Sequence, residues 1–356
     1  MENDQITISR RGILGVIPAL ATTFASVVSS RASSSEPFED LAIRDDITGV
    51  DPRFNFYWNK GEQLYLRDTI SYRPSSSHQY MVFSSQSSKP GRLVVFSHGV
   101  LSSPLDYKSM MYLWASHGFI VICPVHEDAV ISKGGALRTQ ETGTQFGTWP
   151  FEKILDNQDK WAHRSRDCTH VFDLVGELEG ILERKILTDR PIIAGHEFGA
   201  FIASLLLGAT VEADGAETRS YMETRFFASL LFGPPGPGIL KLNDESWSKV
   251  QKPLYCGLTM TDLDFTQQEA IVKQAAYKLS APNYKHLFVA RHGNQQLYFG
   301  SQKGKDENVT AARAGLMGSS VAFLRAYGNY ENAAFQDLTT NFFERMTLGA
   351  ITERRR

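Results

Sequence analysis

The stretch Ile192-Ile193-Ala194-Gly195-His196-Glu197-Phe198-Gly199-Ala200 limits what this chain can fold into more than any other part of it. Small and apolar residues lead into a Gly-x-Glu-x-Gly turn, and Phe201-Ile202-Ala203-Ser204-Leu205-Leu206-Leu207 then reads as a buried helix. Two glycines around one larger residue mark a sharp strand-to-helix turn that holds the central residue in strained geometry at the end of a strand. Such turns are built to present a serine. Here the presented residue is Glu197.

The flanking sequence supplies the sheet such a turn requires. Gln63 to Ile70 and Gln79 to Phe83 are β-rich, with Pro74-Ser75-Ser76-Ser77 between them as turn material. Leu93-Val94-Val95-Phe96 is a continuous apolar run, as expected of a strand buried on both faces. A helix from about Tyr107 to Ser116 and a second buried run, Phe119 to Cys123, complete a βαβ unit and imply parallel pairing. Lys133 to Pro150 has no hydrophobic period and reads as a long loop, and a helix is expected from about Asp159 to Lys185. Further strands are expected at Phe226–Phe232, Pro253–Leu258 and His286–Ala290, the last of the sheet, with helices near Thr266–Leu279, Val309–Ala326 and Phe335–Met346. The fold class is therefore α/β, a mostly parallel central sheet with helices on both faces.

Ahead of this domain, Ser9-Arg10-Arg11-Gly12-Ile13-Leu14 resembles a twin-arginine export motif, and Ser30-Arg31-Ala32 offers a small-x-small cleavage site. Residues 1–32 are read as a signal or anchor segment, 33–50 as a linker, and 51–350 as a single domain with a lid-like loop over 130–160. Glycines, threonines and a proline dilute the apolar stretch, so no stable membrane span is expected after signal removal. The implied location is periplasmic or secreted where the signal is used, and cytoplasmic otherwise. A net charge of −2 gives no reason to expect a nucleic-acid partner, and Arg354-Arg355-Arg356 reads as a solvated tail. Cys123 and Cys256 lie in apolar runs and read as core, and no Cys/His spacing suggests a metal. Neither a metal nor a cofactor is expected.

Four sequence blocks carry a family resemblance: Phe96-Ser97-His98-Gly99, Ala115-Ser116-His117-Gly118-Phe119-Ile120-Val121, Gly195-His196-x-Phe198-Gly199, and Gly236-Pro237-Gly238 continued by Glu245 to Leu254. Through them, residues from about 60 to 347 resemble α/β-hydrolases of the platelet-activating-factor acetylhydrolase type and their dienelactone-hydrolase-like relatives. The resemblance implies the α/β-hydrolase fold and, in the family, ester hydrolysis by a Ser-His-Asp triad. Carried over position by position, the nucleophile is replaced by Glu197. The acid falls on Asp264, with Asp262 as the nearby alternative, and the histidine position reads Asn294 and Gln295. His292 stands two or three residues too early, within reach only if the loop adjusts. Oxyanion-hole N–H groups fall on Phe198 and on Val100 or Leu101.

Losing the serine or the histidine of such a triad costs about 10⁶ in rate, so serine-esterase activity is not expected. At the first turn of a helix a carboxylate is stabilised by the helix dipole and free N–H groups. Glu197 could act as a nucleophile, as a general acid or base in an elimination, isomerisation or cyclisation, or fold back onto the oxyanion donors and close the site. The middle option makes the chain an enzyme of lyase, isomerase or cyclase type acting on a hydrophobic small molecule, as in a tailoring step of specialised metabolism, with His126 or His292 assisting. The last makes it a non-catalytic binding protein. His98 is expected to brace the loop, and His126 lies at the carboxyl end of a parallel strand, where open α/β sheets bind ligands.

Overall fold

The computed structural model describes residues 51–356 apart from 59–66, 68, 76–77, 134–135, 140–151, 214–216, 262–263 and 300–305. The export-like segment, the linker, Asp262 and most of the loop through Pro150 lie outside the described residues.

A short helix α1 (Pro52–Trp58) precedes β1 (Ile70–Ser75), β2 (His78–Phe83) and β3 (Gly91–Ser97). Helix α2 (Lys108–Ser116) and β4 (Phe119–Pro124) follow, then a hairpin of β5 (Val130–Lys133) and β6 (Ala136–Thr139). Helices α3 (Gln158–His170) and α4 (Val175–Leu182) lead to β7 (Ile186–His196) and α5 (Phe198–Leu207). After a small hairpin, β8 (Thr210–Glu212) and β9 (Thr218–Ser220), come β10 (Ala228–Phe232) and β11 (Leu254–Thr259). Short helices α6 (Ala270–Lys273) and α7 (Ala275–Leu279), strand β12 (Lys285–Ala290), helix α8 (Glu307–Phe323) and strand β13 (Ile351–Arg355) follow, and further short helices lie at Glu152–Leu155, Gln296–Phe299, Asn332–Asp337 and Phe342–Met346.

Nine strands form one sheet in the order β1-β2-β4-β3-β7-β10-β11-β12-β13. The run from β4 to β12 is parallel throughout. Strand β2 runs antiparallel to β1 and β4, and β13 antiparallel to β12. Alternate residues of each strand feed two separate hydrophobic cores. Val94, Phe96, Ile192 and Ala194 join Trp114 and Phe323 on one face, while Leu93, Val95 and Ile193 join Trp161, Leu178 and Phe201 on the other. That double burial is why the central strands read as unbroken apolar runs. None of the described helices is long and apolar enough to cross a membrane.

Several expectations needed revision. The helix foreseen over Asp159–Lys185 is two, interrupted at 171–174, where Phe172, Asp173 and Leu174 each bond to a carbonyl three residues back. The aperiodic stretch after Lys133 contributes β6, and the polar excursion after Gly208 holds the β8–β9 hairpin. The terminal arginines are not all a loose tail. Arg354 and Arg355 pair with Leu287 and His286 as part of β13, because Ile351 and Glu353 face inward and anchor the strand at 0% and 5% exposure.

Candidate functional site

Glu197 caps α5 at φ 49° and ψ −113°, conformational strain of about 1–3 kcal/mol that only a tightly determined surround can hold. The surround is backbone against backbone. A Cβ on Gly195 would collide with the Gly199 carbonyl, and one on Gly199 with the Ser97 carbonyl. Strand β7, helix α5 and the end of β3 therefore meet at a separation only glycine permits. The Glu197 N–H donates to the Phe232 carbonyl at 2.9 Å, tying the turn to β10.

The Glu197 side chain is 3% exposed and lies over Gly99. A Cβ on Gly99 would stand 2.9 Å from Glu197 Oε2, 3.0 Å from the Tyr107 hydroxyl and 3.3 Å from Ser102 Oγ. The Gly99 N–H donates to the Tyr107 oxygen at 3.0 Å, and that oxygen is 2.8 Å from His196 Nδ1. Burial, then the Glu197 charge, raises the Tyr107 phenol well above its ordinary range. Burial, with a contribution from the Lys273 charge, pushes His196 down to about 3, so its ring is neutral at any working pH.

The other expected site residues fall into separate groups. Asp264 is buried, accepts from the Thr266 N–H at 2.9 Å and is ion-paired with the buried Lys273 ammonium. An acid of a Ser-His-Asp triad would accept from a histidine; this one is paired with the Lys273 ammonium instead. His292 is solvent-exposed on the loop after β12, whereas Glu197 is buried. Asn294 caps the next helical turn through the Gln296 N–H. Phe198 and Val100 are both buried beside the turn, and Leu101 N–H is already taken by Asp128 Oδ2 at 3.1 Å.

His126 belongs to a different array. Its Nε2 is 2.9 Å from Ser97 Oγ and its Nδ1 is 2.8 Å from Asp167 Oδ2, the connectivity of a serine, histidine and acid relay. Ser97 and His126 are both at 0% exposure, so the relay has no open face for a substrate. Burial, then the Arg164 charge, holds His126 well below the usual imidazole range. Burial raises the Asp167 carboxyl to about 6. Alongside it runs a buried ion pair: Arg164 donates from Nη2 to Asp128 Oδ2 at 2.6 Å and from Nη1 to the His98 carbonyl at 2.7 Å. Burial would raise Asp128, but Arg164 and the two histidines outweigh it and keep the carboxyl well below its usual range. His98 donates from Nδ1 to the Gly99 carbonyl at 2.7 Å and accepts at Nε2 from the His126 N–H, so it braces the loop as expected.

A cavity of about 830 Å³ opens on the far side of this network, between β2, the end of β4 and α3. Its lining includes His78, Tyr80, Glu127, Asp167, His170 and Arg225, and Glu197 is not part of it. Among the described residues no cluster of three or more acidic, histidine or cysteine side chains could hold a metal.

Sequence reasoning overlooked Ser97 as a bonded partner, and Tyr107, Arg164, Asp167 and Lys273 altogether. Arg164 and Asp167 sit on a helix whose pattern is polar, and Lys273 ends a short apolar one; nothing in the sequence separates them from solvated charges. No protein-family model and no curated protein matches the chain.

Proposed function

We propose that the chain is a diverged α/β-hydrolase-fold enzyme that acts on a hydrophobic small molecule by carboxylate acid/base chemistry at Glu197, in a reaction of lyase, isomerase or cyclase type. A mostly parallel sheet with the strained turn at the end of its central strand supports the fold assignment. The observation that carries the chemistry is the surround of Glu197: a strained carboxylate over the loop glycine, sharing its space with a buried phenol whose oxygen is hydrogen-bonded to a buried imidazole. Proton transfer from a positioned carboxylate contributes about 10²–10⁴-fold in rate and needs no second catalytic residue.

The test is Glu197→Gln, which keeps shape and removes proton transfer. A panel of hydrophobic ketones, lactones and esters is incubated with the protein in D₂O, and exchange of α-protons is followed by NMR. Exchange by the wild type that falls by about 10²-fold or more in Glu197→Gln supports the reading. Equal exchange in both proteins overturns it.

A second reading, a non-catalytic binding protein, is favoured by the 3% exposure of Glu197 and the occupation of Asp264 by Lys273. It predicts that compounds from the same panel bind without exchange in either protein.

A further inference from the structure

We propose that the cavity between β2, the end of β4 and α3 is a second binding site. It takes an amphoteric small molecule of amino-acid type, with the ammonium group on Asp167 and the carboxylate on Arg166. The inference stands apart from the reading of Glu197, which is not part of this cavity.

The volume of about 830 Å³ falls within the range of roughly 300–1,000 Å³ usual for small-molecule sites. Tyr80, Pro124 and Val125 are buried residues of its wall and give a carbon skeleton an apolar surface to lie on. The charged groups decide what the ends of that skeleton must carry. Besides histidines, five such residues line the cavity: Glu127, Arg166, Asp167, Asp173 and Arg225. Three of them are already answered. Glu127 has the Lys160 ammonium at 2.6 Å, and Arg225 has Glu223 at 2.7 Å. Asp173 is 71% exposed to water and has His170 at 3.2 Å. Asp167 and Arg166 are left.

Asp167 is an acid without a bonded cation. Its Oδ2 lies 2.8 Å from Nδ1 of the buried His126, whose ring is held neutral by burial and then by the Arg164 charge. Its Oδ1 has the His78 ring at 3.9 Å, too far for a hydrogen bond. Arg164 acts on it only from a distance, since that guanidinium is bonded to Asp128. Burial therefore outweighs the His78, Arg164 and His163 charges and lifts the Asp167 carboxyl to about 6. An ammonium group brought to Oδ1 supplies the missing charge at hydrogen-bond distance, in the stronger, charge-assisted kind of bond.

Arg166 is in the converse position. It is exposed, and its guanidinium has no hydrogen bond or ion pair among the described residues. Neighbouring helix residues project about 100° apart, so these two flank the stretch of α3 that faces the cavity. Asp167 stands on the His126 side and Arg166 on the solvent side. A guanidinium fork matches a carboxylate in geometry. A simple amine would answer Asp167 and leave Arg166 to water, and a simple carboxylate would do the reverse. An amphoteric molecule answers both at once.

The test is isothermal titration calorimetry on the full chain with free α-amino acids and ω-amino acids of two to eight carbons. Each binder is compared with its decarboxylated and its deaminated counterpart. At least one amphoteric probe is expected to bind, and both counterparts about tenfold more weakly or not at all. Asp167→Asn keeps the shape of the side chain, and Arg166→Gln changes an exposed residue whose loss the fold tolerates. Each should weaken the amphoteric probe by about tenfold or more, with Arg166→Gln bringing it to the affinity of the matched amine. Glu197→Gln should bind the probe as the wild type does. No binding by any amphoteric probe, equal binding of the amine, or unchanged affinity in either cavity variant overturns the proposal. So does a loss of binding in Glu197→Gln, which would put the probe at the other site. None of these outcomes touches the D₂O exchange result, so the two readings fail separately.

Discussion

Asp264 is ion-paired to Lys273, with each side chain 1% exposed. The carboxylate that the family resemblance assigns to a triad is thereby matched to a cation supplied by α6, a short helix whose other residues are apolar. Lys273 thus occupies the position beside Asp264 that a histidine would need in order to use this acid.

The pair should be costly to break from one side. Lys273→Met leaves Asp264 buried and uncompensated, and stability to urea is expected to drop by about 3–5 kcal/mol. Asp264→Leu combined with Lys273→Met should recover most of that loss. A single variant as stable as the parent would show that the pair contributes nothing.

The two elbow glycines and the glycines of α4 should respond oppositely to alanine. Gly199→Ala places a methyl group on the Ser97 carbonyl and is expected to cost more than about 4 kcal/mol or to prevent folding. Gly180→Ala, on an exposed helix position with nothing within 4 Å of the added carbon, should stabilise by about 0.4–1 kcal/mol. Thermal melts of the two variants check both signs.

A serine at the turn should not by itself create an esterase. Glu197→Ser places a hydroxyl in the turn, yet Asp264 remains bound to Lys273 and His292 remains exposed. Turnover of p-nitrophenyl acetate is expected at background in both wild type and variant. A serine-directed phosphonate is expected to leave both proteins unlabelled, Ser97 included, because that hydroxyl is fully buried. Labelling of either protein, located by mass spectrometry, would contradict this.

Stability should fall as pH rises through one particular window. Burial lifts the Glu353 carboxyl on β13 from 4.5 to about 8, so the folded chain keeps a proton there that the unfolded chain releases. The associated stability is complete below pH 4.5, declines above it, and is gone above about 8. Glu353→Gln should flatten that decline in urea titrations run from pH 5 to 9. An identical slope in the variant would assign the effect to other groups, Asp167 foremost.

Much of the architecture was legible because burial on both faces writes itself as apolar runs. Leu93–Phe96, Phe119–Cys123 and Ile192–Ala194 are all central strands of the sheet. Breaks inside helices were not legible, since the interruption at 171–174 and the division of α6 from α7 carry no proline or glycine to announce them. Strand β13 was missed because its arginines read as solvent-facing, and its buried anchors are only Ile351 and Glu353, one of them a charged residue. At the site, the turn and its central carboxylate could be located to the residue. Its surroundings could not: Tyr107, Lys273, and the pair Arg164 and Asp167 come from three places in the chain, and only the assembled sheet gathers them near the ends of β3 and β7. A histidine at 126 was singled out for its position, and the structure gives it partners, but in a sealed array and not beside Glu197.

The contact of Gly195 with Gly199, and of Gly199 with Ser97, has an evolutionary side. The geometry of the turn is secured by backbone atoms, those of residue 197 included, and the positive φ there burdens any side chain other than glycine alike. Selection can therefore change the functional group at that one position while leaving the scaffold's stability nearly untouched. Chemistry and folding are under separate control, and lineages carrying this turn are free to drift from one reaction to another, or to none, without first becoming unstable.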